Sequence, residues 1–116
     1  MIKKEAKLNP NMFKRGMEAL PTRDGYGNGL VAAGEKDTRV VALCADLTES
    51  TRTEWFRKRF PERFIEIGVA EQLLATVASG MAAYGKIPFI ASYAAFSPGR
   101  NWEQIRTTAA LNNVPV

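Results

Sequence analysis

Two carboxylates and three other polar or aromatic side chains lie at or after the ends of apolar runs of this sequence. They are Asp46, Glu71, Tyr93, Phe96 and Arg100. If the apolar runs are parallel strands, their carboxyl ends lie at one edge of the sheet, and these side chains meet there. Ligands of open α/β sheets bind at that edge. A carboxylate at that edge is a candidate for acid–base chemistry. The spacing therefore predicts a ligand-binding cleft.

Each of these residues also has a structural interpretation when it is taken alone. Asp46 could cap the helix that follows it, and Glu71 could complement the positive end of a helix. Phe96 could belong to the core, and Arg100 could pair with an acid on the surface. The functional interpretation therefore depends on whether the fold brings them together.

The stretch from residue 64 to residue 83 predicts a strand, a tight turn and a helix. Residues 64–69 are rich in β-formers, Gly68 permits a sharp turn, and residues 70–84 are rich in small residues that suit a closely packed helix. The same reasoning predicts further strands at residues 39–47, 87–93 and 114–116, and helices that begin near Thr22, precede Pro61 and run from a cap at Asn101 to Leu111.

The glycines at positions 25, 27 and 29 allow two interpretations. Their spacing resembles a phosphate-binding loop, but no strand precedes them and the full dinucleotide pattern is absent. The alternative is a loop or a poor helix after Thr22, with Asp24 in its first turn. We expect the second interpretation, and it assigns no ligand to these glycines.

The alternation of strands and helices predicts an α/β fold, a parallel sheet with helices on both faces. Three strands and a short fourth leave the sheet short of cover, so the domain is expected to be incomplete at its C-terminus. Residues 1–21 are expected to form a basic N-terminal extension that packs on the body, and residues 22–116 the partial domain.

Composition limits the classes of function. The 116 residues suffice for one domain, and the net charge of +4 is dispersed, so we expect no nucleic-acid binding. No apolar run of about 18 residues and no signal peptide are evident, so we expect no membrane span and a cytoplasmic location. The chain has no histidine and one cysteine, which excludes His-based triads and zinc sites within it; we expect no metal site of its own.

Three segments carry a family resemblance. Residues 40–48 (Val-Val-Ala-Leu-Cys-Ala-Asp-Leu-Thr), 60–72 (Phe-Pro-Glu-Arg-Phe-Ile-Glu-Ile-Gly-Val-Ala-Glu-Gln) and 85–100 (Gly-Lys-Ile-Pro-Phe-Ile-Ala-Ser-Tyr-Ala-Ala-Phe-Ser-Pro-Gly-Arg) resemble the pyrimidine-binding domain of the transketolase family. The chain most resembles the C-terminal section of transketolases encoded in two pieces, and 1-deoxy-xylulose-5-phosphate synthase is a close relative. The resemblance implies a thiamine diphosphate-binding fold.

The resemblance also implies a role for each candidate residue. Glu71 would contact N1′ of the aminopyrimidine of thiamine diphosphate and favour the imino tautomer that removes the thiazolium C2 proton. Phe96 would stack on the aminopyrimidine, Tyr93 would line its pocket, and Asp46 would lie near the cofactor at a subunit interface. Arg100 would help to bind a sugar phosphate. The diphosphate and Mg²⁺ would be held by another domain or subunit, since the motifs that bind them are absent.

The resemblance predicts part of an enzyme. The chain would supply the aminopyrimidine half of the cofactor site of a transketolase, which moves a two-carbon ketol unit between sugar phosphates. It would act as a dimer or heterotetramer with a diphosphate-binding N-terminal subunit or domain, and it would be inactive alone. The alternatives are an inactive remnant or interaction module with the same fold, and part of a 1-deoxy-xylulose-5-phosphate synthase.

Overall fold

A three-stranded parallel sheet lies at the centre of the structure, a computed structural model that describes residues 7–17 and 19–116. The strands are β1 (Val40–Cys44), β2 (Phe64–Glu66) and β3 (Ile87–Ala91), in the order β2-β1-β3. The helices are α1 (Thr22–Lys36), α2 (Thr53–Arg59), α3 (Glu71–Ala83) and α4 (Trp102–Gln104), with a 3-10 turn at Pro61–Arg63 and a π-helical segment at Ile105–Ala110.

Helices cover both faces of the sheet, so the central strand β1 is buried along its whole length. On one face Val41 and Leu43 pack against Leu74 and Ala78 of α3. On the other face Val40 and Ala42 pack against α1 and α2. The uninterrupted apolar run that predicts a doubly covered strand is therefore confirmed, and so is the α/β class with helices on both faces.

The α1–α2 face is closed by two glycines of α1 that touch aromatic rings. A Cβ atom added at Gly27 would lie 2.6 Å from the Trp55 ring, and one added at Gly34 would lie 2.6 Å from the Phe56 ring. Gly25 and Gly29 face open space instead. The glycine-rich segment is thus a helix in which two glycines allow α1 and α2 to pack closely, as the second interpretation of the sequence expects.

Parallel pairing places the ends of the three strands at one edge. Leu43 is in register with Ile65 of β2 and with Ile90 of β3, so the chain leaves all three strands on the same side of the sheet. The predicted β2 and β3 extend beyond the observed strands, which end at Glu66 and Ala91. The residues beyond those ends form the loops that carry the candidate site.

The helix termini and the fourth strand differ from the sequence predictions. Pro21, not Thr22, precedes α1, and no side chain of the described residues caps that helix. Residues 114–116 lie outside the sheet, because the Val114 N–H donates to the carbonyl of Ala109 and ties the segment to the preceding helix. Pro115 also lacks the N–H that a strand would need.

The prediction that residues 1–21 pack on the body is wrong for the apolar side chains that the structure describes. Phe13 is 92% exposed, and Leu8 and Leu20 are exposed as well. Residues 1–6 and 18 lie outside the described part of the chain. In residues 7–17 and 19–116, no helix has the length and apolar character needed to cross a membrane.

Candidate functional site

Glu71 is the buried acid of the strand edge. After β2 ends, Gly68 adopts a φ of 76°, which turns the chain and starts α3 at Glu71. The side chain of Glu71 is 2% exposed, and its Oε2 accepts a hydrogen bond of 3.0 Å from Nη1 of Arg100. A carboxylate is rarely buried without a partner, so the ion pair accounts for its burial in this state.

The loop after β3 brings three of the other predicted residues to Glu71. The rings of Tyr93 and Phe96 are stacked, with centroids 6.2 Å apart and planes inclined by 24°. The guanidinium carbon of Arg100 lies 4.9 Å from the centroid of the Phe96 ring. Arg100 therefore bridges the carboxylate and the aromatic pair, and the four side chains form one cluster.

Asn101 fixes that loop against α3. It is fully buried, and its Nδ2 donates to the backbone carbonyl of Glu71 at 2.9 Å and to Oγ of Ser97 at 3.1 Å. The sequence predicts Asn101 as a helix cap, but its side chain makes no capping hydrogen bond to α4. It stabilises the approach of the Phe96 loop to Glu71, a role that only the folded chain reveals.

Asp46 is the one predicted site residue that the structure does not join to this cluster. Its side chain is exposed, and within the described residues it makes no hydrogen bond or ion pair with the other four. Its backbone has a φ of 57°, and its N–H donates to Oε1 of Glu66 at 2.8 Å. Asp46 thus lies at the same edge, beyond the end of β1, with its side chain facing solvent.

Glu66 organises the turn that leads to Glu71 and was not predicted as a site residue. Besides Asp46, its carboxylate accepts hydrogen bonds from the Thr48 hydroxyl at 2.6 Å and from the Gly68 N–H at 3.0 Å. Partial burial raises the pKa of Glu66, but the hydrogen bonds from Thr48 and the backbone outweigh it and lower the pKa below 4.5. An acid that ends a strand two residues before a turn glycine is the sequence signal that could have identified it.

A cavity of about 540 Å³ lies on the other side of β3, and Tyr93 and Ser97 line part of it. Its remaining lining comes from α1, the loop before α2 and the end of β3. Among the described residues, the Ser92 Oγ is buried there without a hydrogen-bond partner, and burial raises the pKa of Tyr26 to about 12. The cavity therefore shares the loop of the candidate site but not its carboxylate.

Residues 7–17 and 19–116 contain no cluster of three or more His, Cys, Asp or Glu side chains able to hold a metal ion.

The chain resembles known proteins over most of its length. A protein named transketolase C-terminal section from Methanocaldococcus jannaschii is 49% identical over 94 residues, which are 81% of this chain and 30% of that protein. The 1-deoxy-D-xylulose-5-phosphate synthase of Halothermothrix orenii is 38% identical over 95% of this chain and 17% of its own length. A 6-deoxy-6-sulfo-D-fructose transketolase subunit of a Clostridium species is 42% identical over 90% of this chain and 32% of the subunit.

The fold also matches a solved structure. A split-gene transketolase, determined as an inactive beta4 tetramer, superposes with a TM-score of 0.70 and 46% identity over 78% of this chain. The chain spans about a third or less of the length of these relatives. The family model of the transketolase pyrimidine-binding domain matches residues 18–116, which is most of the chain. The chain therefore belongs to the family of transketolase pyrimidine-binding domains.

Proposed function

We propose that this chain is the pyrimidine-binding part of a thiamine diphosphate-dependent transketolase that transfers a two-carbon ketol unit between sugar phosphates. The observation that carries the proposal is a buried carboxylate, Glu71, at the carboxyl edge of the sheet, which Arg100 links to the half-buried ring of Phe96. Family membership over residues 18–116 supports it. In this proposal residues 22–116 form the partial domain and residues 1–21 an extension.

The residues present fit an aminopyrimidine. The Arg100 guanidinium is a flat group with N–H donors, and it reaches both the Phe96 ring and the Glu71 carboxylate. An aminopyrimidine is also flat and would use the same two surfaces, a ring face for stacking and a carboxyl group for a hydrogen bond. Glu71 would hold or donate a proton at N1′, Phe96 would orient the ring, and Tyr93 would line the pocket.

Bound thiamine diphosphate would supply the nucleophilic carbon that carries the two-carbon unit. This chain's contribution would be the proton at N1′ and the orientation of the ring. Arg100 would bind the phosphate of a sugar substrate, since a guanidinium is suited to phosphate oxygens. Asp46, which follows β1 at the same edge of the sheet, would lie near the cofactor at the subunit interface.

A partner would complete the site. The family's diphosphate and Mg²⁺ motifs are absent from this sequence, so a diphosphate-binding transketolase N-terminal subunit or domain would supply them. Exposed apolar side chains flank Glu71 and Arg100 along the chain: Val69, Leu73 and Trp102. Exposed apolar side chains around a site are typical of a protein interface. The solved relative is a tetramer. We therefore propose a dimer or heterotetramer, and a cytoplasmic location because phosphorylated sugars are metabolised there.

The experiment is the substitution Glu71→Gln in the chain co-expressed with a diphosphate-binding subunit. We expect thiamine diphosphate-dependent transfer to fall by about 100-fold or more, because a positioned acid contributes roughly 10²–10⁴-fold. Glu103→Gln is the control, because Glu103 is an exposed acid of α4. Equal thermal unfolding midpoints would show that the fold is retained. Full activity of Glu71→Gln would contradict the role of this carboxylate.

The similarity to 1-deoxy-D-xylulose-5-phosphate synthase favours a second candidate. The two reactions are distinguished by the donor, so the assembled protein should be assayed with a ketose phosphate and, separately, with pyruvate and glyceraldehyde 3-phosphate. Turnover only with pyruvate would replace the transketolase proposal by the synthase. If no thiamine diphosphate binds with any diphosphate-binding subunit tested, the alternative of an inactive remnant or interaction module would replace both enzyme proposals.

A further inference from the structure

The Glu71 carboxylate accepts its side-chain hydrogen bond from a half-exposed arginine. Within the described residues, the side-chain donor to this carboxylate is Arg100, at 3.0 Å, and the Asn101 side chain donates instead to the backbone carbonyl of Glu71. The Arg100 side chain is 52% exposed, whereas that of Glu71 is 2% exposed. The carboxylate is therefore fixed by the fold, and its partner extends into water.

The same guanidinium also covers the aromatic surface of the site. Its carbon lies 4.9 Å from the centroid of the Phe96 ring, a distance at which a cation is attracted to the ring face. Arg100 thus occupies both surfaces that a flat ligand would use. A ring stacked on this face of Phe96 and bonded to Glu71 cannot be present together with the guanidinium.

We propose that Arg100 is a displaceable occupant of the aminopyrimidine site, which satisfies Glu71 and Phe96 until the ligand replaces it. This inference rests on the proposed function and adds a competition within the site. The displaced guanidinium regains water at little cost, because half of the side chain is already exposed. The competition lowers the apparent affinity for the ring, as any occupied binding state does.

Displacement has a second consequence, because it frees a guanidinium next to the site. A free guanidinium can bind an anion such as the phosphate of a sugar substrate. An anion that holds Arg100 away from Glu71 must then favour binding of the ring, since coupling between two ligands is reciprocal. Ring and phosphate should therefore bind with positive cooperativity through this side chain.

The test measures thiamine binding to the full chain by NMR titration, because thiamine carries the aminopyrimidine without the diphosphate. Arg100→Gln should bind thiamine at least threefold more tightly than the natural chain. Arg106→Gln, which removes an exposed arginine from the next helical segment, should leave the affinity unchanged. Inorganic phosphate should tighten thiamine binding to the natural chain and have no such effect on Arg100→Gln.

Two further variants separate the possible failures. Arg100→Lys keeps the charge but loses the planar group, and it should give an intermediate affinity if Arg100→Gln does not fold. Glu71→Gln should bind thiamine more weakly than the natural chain. Thiamine binding that requires Glu71 but is equal or weaker in both Arg100 variants would overturn the displacement and leave the proposed function intact. Binding that is independent of Glu71 would count against the proposed function itself, and binding by neither the natural chain nor Arg100→Gln would overturn the displacement alone.

Discussion

Arg63 and Arg100 both stack on phenylalanine rings, but in regions with opposite surroundings. Arg63 lies on the α1–α2 face, 3.8 Å from the centroid of the Phe60 ring, and its side chain is 14% exposed. Its Nη1 lies within hydrogen-bond distance of three carbonyls, those of Gly34, Asp37 and Val40. Arg100 lies at the carboxyl edge, is half exposed and has one carboxylate as its partner.

The difference separates a residue that holds the fold from one that a ligand can replace. Besides an ion pair with the exposed Glu62, Arg63 has hydrogen-bond acceptors that are backbone carbonyls at the end of α1 and the start of β1, and a ligand could replace this donor only by opening the core. The partner of Arg100 is a single side chain that a ligand donor could reach. The same pair of residue types therefore stabilises one face and keeps the other available for binding.

The largest effect should come from breaking the arginine contacts on each face in turn. Arg63→Gln should destabilise the chain by about 2–3 kcal/mol, because hydrogen bonds from a charged donor are worth roughly 1.5–3 kcal/mol and a stacked cation adds to them. Arg100→Gln should destabilise the chain less than Arg63→Gln does, since the Arg100 side chain is half exposed and makes one hydrogen bond to Glu71. Urea unfolding of both variants measures the difference. Equal losses would remove the distinction between the two arginines.

A smaller effect is expected from the glycines that close the α1–α2 face. Gly34→Ala places a Cβ against the Phe56 and Phe60 rings, and overpacking of about 1–3 kcal/mol should exceed the roughly 1 kcal/mol gained in helix propensity. Gly29→Ala meets nothing within 4 Å and should stabilise α1 by up to about 1 kcal/mol. Thermal unfolding midpoints should therefore move in opposite directions. Higher midpoints for both variants would show that the Phe56 and Phe60 rings can move to accommodate the added methyl group.

The smallest effect is expected at Glu66. Its carboxylate accepts hydrogen bonds from Thr48 and from the backbone, so, like Arg63, it is held by groups of the fold. Its pKa is lowered in the folded chain because hydrogen bonds from Thr48 and the backbone outweigh its partial burial. Its stabilisation is thus complete above about pH 4.5 and is lost as pH falls through the lowered pKa. Glu66→Gln should lower the free energy of unfolding by less than about 1 kcal/mol at neutral pH. It should also reduce the loss of that free energy as the pH is lowered into the acid range. Glu103→Gln is the control. If Glu66→Gln loses stability at low pH as steeply as the natural chain, the stabilising role of Glu66 is contradicted.

Local sequence patterns predict much of the fold. Apolar runs identify all three strands, because a strand buried on both faces needs apolar side chains at every position, as β1 shows. They also place Glu71 at a strand-to-helix junction, because Gly68 marks the turn. The false strand at residues 114–116 shares the same local signal, but its backbone bonds to the preceding helical segment at Ala109 instead of to the sheet.

The contacts within the site could not be predicted from local patterns. Glu71 and Arg100 are 29 positions apart, and their pairing depends on the path of the loop after β3. The bond from Asn101 to the Glu71 carbonyl and the contacts of Glu66 involve backbone groups whose directions only the folded chain fixes. Asp46 shows the converse, since its side chain does not join the cluster although its position in sequence suggests that it should.

The π-helical segment Ile105–Ala110 has a consequence for how the chain tolerates changes in length. Thr108 donates from this segment to Ser79 of α3 at 3.0 Å, and the Leu111 N–H bonds to the carbonyl five residues earlier, at Arg106. A π-helical turn holds one residue more than an α-helical turn, and each residue of an α-helix advances by about 100°. Deleting one residue here and restoring the α-helical pitch would therefore leave the later side chains close to their present angular positions, whereas the same deletion in an ordinary α-helix would rotate them by about 100°. The angular phase of this segment, rather than its length, determines which side chains α3 meets.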